Sequence, residues 1–223
     1  MQMMRPSSIK GLILSTIALS FLFLSGNAAH AAMVNYSFTG SVSDVSGALK
    51  STLPLTSSMH GTFEYASDTM PSGTGRYMGA VQNLSLTIGT RSFMLEDMGD
   101  TNVIRITDSS SGDLWRLRTS VAGDPIGAFT PVDFRLNLAD EDGLAITGTT
   151  LSNPPSLGDL TSTHWRLVFE NMDGSKTVRI QGALNSLTAV PLPAAVILFG
   201  AGLISLVGLG AGGLRNLRRH HQA

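Results

Sequence analysis

From Val34 to Leu187 the apolar residues recur at every second position, and a chain patterned in that way is committed to sheet. In a strand successive side chains leave on opposite faces, so a period of two gathers the apolar set on one side. Val132, Phe134, Leu136 and Leu138 make the clearest stripe, ended by Asp140-Glu141-Asp142-Gly143. Val34, Tyr36, Phe38 and Val42 face one way while Asn35, Ser37, Thr39 and Ser41 face the other. Met59, Phe63 and Tyr65 repeat the pattern, as do Leu84, Leu86 and Ile88, then Trp115, Leu117 and Val121, then Trp165, Leu167 and Phe169. Gly89-Thr90 predicts a tight hairpin into Arg91 to Leu95. Val103 to Thr107 predicts a short strand, followed by turn chemistry from Asp108 to Asp113. Asn171-Met172-Asp173-Gly174 turns the chain into Thr177 to Leu187. Residues 68–75 and 152–163, rich in Gly, Pro and Ser, read as long surface loops. About ten strands without a convincing amphipathic helix predict an all-β fold, an antiparallel β-sandwich or jelly roll.

The two ends obey a different rule. Arg5 and Lys10 precede an apolar run from Gly11 to Leu24, and Ala29-His30-Ala31 fits the small-x-small pattern of a signal peptidase site, with the cut before Ala32. At the other end Ala194 to Leu214 carries 21 residues without a charge. As a helix it would span roughly 31 Å, against a hydrocarbon core of about 30 Å. Arg215, Arg218 and Arg219 follow it and favour the cytoplasmic side. The expected organisation is a signal peptide at 1–31, an exported body at 32–189, and a tail at 190–223 with a transmembrane helix over 194–214. Export across the inner membrane and a single-pass intermediate follow.

Partition of the charges changes their meaning. The whole chain sums to −1, but signal and tail hold five of the 15 Lys and Arg, leaving the body 10 against all 16 Asp and Glu. An acidic body argues against nucleic acid or anionic lipid, partners that select a basic face. The chain has no cysteine, which excludes thiol chemistry and Cys-based zinc sites.

The tail resembles a known sorting signal. Val190-Pro191-Leu192-Pro193-Ala194-Ala195, the Gly/Ala/Leu-rich helix and the Arg-rich end are similar in order and spacing to the PEP-CTERM family of Gram-negative bacteria, in its VPLPA-CTERM variant. The commoner form has Glu where this chain has Leu192. The resemblance covers about residues 187–219. It implies recognition by an exosortase, a membrane cysteine protease-transpeptidase, and transfer of the body to the cell surface or extracellular matrix, in association with exopolysaccharide and biofilm. The two prolines supply no backbone donors and hold the tetrapeptide extended, as a protease site at the membrane surface requires. A plain single-span anchor, with Gly208 and Gly212 as a dimer face, is the alternative.

Chemistry in the body is sparse. His60 and His164 occupy outward strand positions far apart in sequence, and no Gly-x-Ser-x-Gly elbow occurs, so no catalytic residue is assigned and no enzyme is expected. No cofactor is expected either. Calcium at Asp140, Glu141 and Asp142, or at Glu96, Asp97 and Asp100, or between Asp108 and Asp113, is the metal alternative, though none has the spacing of an EF-hand. A carbohydrate-binding module is the functional alternative, and Arg76 with Tyr77, after the glycine loop, is its candidate glycan contact. An adhesin with calcium-stiffened loops is the third reading.

Overall fold

The computed structural model describes residues 33–96 and 101–191. Ten strands follow one another: β1 (Met33–Val45), β2 (Ser58–Ala66), β3 (Arg76–Met78), β4 (Val81–Ile88), β5 (Arg91–Leu95), β6 (Val103–Thr107), β7 (Asp113–Gly123), β8 (Phe129–Asp140), β9 (Ser162–Asn171) and β10 (Thr177–Ala189). Every pairing is antiparallel. The signal segment with Ala29, Ala31 and Ala32, the tail from Leu192 through Pro193, Ala194, Arg215, Arg218 and Arg219, and Asp97 and Asp100 lie outside the described residues. Among the described residues no helix is long and apolar enough to cross a membrane.

The all-β antiparallel expectation holds, but the sandwich or jelly roll is corrected to a closed barrel. Eight strands run β1-β2-β4-β5-β7-β8-β9-β10 and return to β1. Periodicity reports which face a residue occupies and carries nothing about which strand lies beside it. The β7–β8 ladder, from Asp113↔Asp140 to Ser120↔Asp133, is one of the links that turn two possible sheets into one ring. Closure also removes the unpaired strand edges that a sandwich must protect. β3 and β6 stand outside the ring as a two-stranded ribbon. β6 pairs with Leu114–Arg118 of β7, and β5 pairs with the same strand farther on, at Val121–Gly123.

An eight-stranded barrel has an interior just wide enough for side chains to fill. Here Phe38, Phe63, Tyr65, Phe93, Trp115, Phe134, Trp165 and Phe169 fill it, each almost wholly buried. Their rings pack against one another, with Phe63 6.0 Å from both Phe38 and Trp115 and Phe38 6.1 Å from Phe134. The predicted stripes supply this set except Phe93, which comes from the hairpin arm over Arg91 to Leu95. Val132 leaves its stripe: a bulge between Pro131 and Asp133 moves it off the inner face and leaves Pro131 and Asp133 buried instead.

One side of the barrel depends on close backbone approach. β1 and β10 slip register at Thr39/Gly40 and at Val42/Asp44. There the Trp165 indole N–H donates to the carbonyls of Ser41 and Ala183, at 3.2 Å each. A Cβ on Gly182 would collide with the Ser41 carbonyl, so only glycine fits that position.

The loop after β8 is held by carboxylates and by the polar tips of core aromatics. Asp140 accepts from the backbone N–H groups of Asp142, Leu144 and Ala145, and Asp113 accepts from Ser109 and Ile146. Asp108 accepts from Gly148 at 2.6 Å. Tyr65 and Trp115 donate to the Ser152 carbonyl, and Tyr77 donates to the Thr149 carbonyl at 2.7 Å. Burial pushes the Tyr65 phenol well above its ordinary range.

Candidate functional site: an arginine face on the barrel

The alternation that builds the core also aims a set of cations outward. Ile104-Arg105-Ile106, Trp115-Arg116-Leu117-Arg118, Phe134-Arg135-Leu136 and Trp165-Arg166-Leu167 each lock large apolar residues inside, which fixes the intervening arginine outside. Register then brings them together. In one row Arg76 faces Arg105, Arg105 faces Arg116, Arg116 faces Asn137, and Asn137 faces His164. In the next, Arg118 faces Arg135, Arg135 faces Arg166, and Arg166 faces Gln181. Arg179 lies opposite Val168, one step farther along β10. Seven of the ten cations of the body thus share one outer surface across β3, β6, β7, β8, β9 and β10.

Little on that surface neutralises them. Asp133 is its one well-placed carboxylate among the described residues, with Oδ1 3.0 Å from Nε of Arg118 and Oδ2 2.6 Å from Nη2 of Arg135. Asp44 is 3.9 Å from Arg179, both exposed, a pair that water screens almost completely. Arg116 donates from Nε to Oδ1 of Asn137 at 2.7 Å, a neutral partner. Nε of Arg166 is buried with no hydrogen-bond partner. Among the described residues Arg76, Arg105, Arg116 and Arg166 make no ion pair. Like charges directly opposite each other destabilise a sheet. The Arg116 guanidinium shows that strain: burial first, then Arg135, Arg105, Arg118 and Arg166, hold its pKa below the ordinary arginine value.

Two shallow grooves cross the face. One, of about 420 Å³, runs along Arg135, Arg166 and Arg179 with Ser46 and Asp44 on its rim. The other, of about 250 Å³, lies over Arg76, Arg105, Arg116 and Arg118. Exposed or half-buried guanidinium groups on rigid strands present forked donors that match planar oxyanions two bonds at a time. Such a surface has the donor geometry to hold anions.

The residues singled out in the sequence fall elsewhere, except Arg76 and His164. Arg76 is exposed and opens the first arginine row, but Tyr77 is 4% exposed, packed in the core with its hydroxyl committed to Thr149. Tyr77 is therefore corrected from surface contact to core residue; the three-residue β3 is too short to show its alternation. His60 and His164 stand on β2 and β9, with β1 and β10 between them. Burial, then Arg166, push the His164 imidazole below its ordinary value, so it is neutral at neutral pH. Asp140 is 4% exposed and both its oxygens are occupied by backbone donors, while Glu141 and Asp142 point to solvent. That carboxyl ties a turn. Among the described residues no group of three or more His, Asp or Glu is arranged to hold a metal ion.

The arginine face is not legible in the sequence, because the body's negative total conceals how its charges are distributed. The signal was present in arginines sandwiched between Trp, Leu, Phe and Ile, but only register gathers them. No protein-family model, curated protein or solved structure matches the chain. The class that fold and site define is thus an antiparallel β-barrel with a filled core and a one-sided cationic surface.

Proposed function

We propose that this chain is a non-enzymatic surface or matrix protein, exported across the inner membrane, held for a time by its C-terminal helix, and released or transferred by an exosortase cutting near Val190-Pro191-Leu192-Pro193-Ala194. The observation that carries the reading is the order of parts in the chain: a signal-like N-terminus, one barrel, then the VPLPA segment, an uncharged stretch and three arginines. The geometry at the barrel's end is consistent with it. The Tyr36↔Ala189 pair ends the β1–β10 ladder, the Val190 N–H donates to Asn35 at 2.8 Å, and Pro191 is exposed. Val190 and Pro191, the first half of the tetrapeptide, therefore sit where the sheet stops. Deleting the sorting enzyme and blotting membrane and medium tests the proposal. A larger, membrane-retained species is expected, and unchanged size and location would refute it.

A second reading, a carbohydrate-binding module, is supported by the arginine face rather than by aromatic stacking. Trp115, Trp165, Tyr65 and Tyr77 are all buried, so sugar rings have none of them to stack on.

A further inference from the structure

We propose that the arginine face binds an acidic polysaccharide, a polymer bearing a carboxylate on successive sugars. This deepens the matrix reading and rests on it for the choice of polymer over other polyanions. Three features of the face carry the inference.

The first is extent. Arginines occur on six neighbouring strands, and at a strand spacing of about 4.8 Å the two staggered rows with Arg179 together cross roughly 24 Å of sheet. A single small anion would need two or three of these groups; an array of this length fits a chain of anions. The second is vacancy of partners. Arg105 and Arg116 face each other without a carboxylate between them, and Nε of Arg166 is buried with nothing to donate to. An arriving carboxylate would relieve repulsion already present in the folded protein. The third is what the face lacks. The residues interleaved with the arginines are Asn137, His164, Gln181, Val103 and Val168, with no Phe, Tyr or Trp on which a base could stack. Asn137 and Gln181 are suited to sugar hydroxyls.

Charge elsewhere on the body separates this partner from nucleic acid. Apart from Asp133 and Asp44, which lie on the face itself, the rest of the body holds three cations against fourteen carboxylates. Duplex DNA carries a charge about every 1.7 Å and is stiff over far more than this face, so its ends would run onto acidic surface. A flexible, less densely charged polysaccharide can follow the curve of the barrel and stay on the cationic side.

The test uses the full chain purified in an uncharged detergent, with polygalacturonate as probe, neutral dextran as control and single- and double-stranded oligonucleotides as competitors. Polygalacturonate is expected to bind and to weaken as salt rises, while dextran does not bind. The double variant Arg105→Gln/Arg116→Gln should bind at least tenfold more weakly, the corresponding Lys pair should retain part of the affinity, and Arg91→Gln on β5 should bind as the parent does. Because the Gln pair removes facing like charges, its melting temperature should equal or exceed the parent's, which separates lost binding from lost folding. No binding to polygalacturonate, equal loss in Arg91→Gln, or preference for oligonucleotide over polygalacturonate would overturn the inference. The assay is independent of sorting, so failure here and failure of exosortase processing are read separately.

Discussion

Arg118 on β7 faces Arg135 on β8 directly across the ladder. Asp133 reaches both guanidinium groups, and its side chain is only 11% exposed. One carboxylate therefore holds two opposed cations at the point where the barrel closes. Asp133→Asn keeps the shape and removes the charge. It should cost about 1–2 kcal/mol at low salt, less than a fully buried pair because both arginines are partly wet. For a body of this size that lowers the melting temperature by roughly 2–8 °C. In 1 M salt, where charges are screened beyond about 3 Å, the deficit should narrow. A deficit unchanged by salt would mean that Asp133 acts through packing alone.

Trp165 and Gly182 form a second coupled pair. The indole N–H bridges two carbonyls across the slipped β1–β10 register, and Gly182 leaves the room for it. Gly182→Ala should destabilise by about 1–3 kcal/mol through overpacking. Trp165→Phe should lose about 1–3 kcal/mol by stranding the Ser41 and Ala183 carbonyls. The double variant should lose less than the sum, because the first change already disrupts what the second removes. Chemical denaturation of the three variants measures the coupling.

How much of this was legible beforehand differs by kind. Alternation alone places Phe38, Phe63, Trp115, Phe134 and Trp165 inward, because period two is a local property of the chain. Val132 departs from the alternation because a bulge at Pro131/Asp133 changes parity, and Pro131, a residue that sheets tolerate at bulges, is its one local mark. Closure into a barrel and the meeting of Arg105 with Arg116 depend on which strands become neighbours. Their partners are brought together by register, so no single segment announces them.

Tyr77 offers a direct check on its corrected place. Its hydroxyl donates to the Thr149 carbonyl inside the end loop. Tyr77→Phe should cost about 1 kcal/mol of stability. It should leave polygalacturonate binding unaltered in the same titration. Loss of binding with unchanged stability would return Tyr77 to the surface.

Acid should loosen the loop after β8. Backbone donation, chiefly from Leu144 and then from Asp142 and Ala145, holds the Asp140 carboxyl below its ordinary value. A carboxyl depressed in the folded state adds stability that is present above the unfolded value, about 3.9, and is lost as pH falls through the lower folded value. Melting temperature followed from pH 5 down to pH 2 should therefore fall less steeply in Asp140→Asn than in the parent. Parallel slopes would show that Asp140 contributes nothing to acid sensitivity.

The central claim concerns the end of the chain, where Val190 leaves the sheet and the VPLPA segment begins. Intact-mass spectrometry of the mature protein recovered from the cell surface or medium addresses it in one measurement. The account predicts a C-terminus within or beside Val190–Ala195, with the uncharged stretch and its three arginines gone. A mature protein that still ends at Ala223 would contradict it.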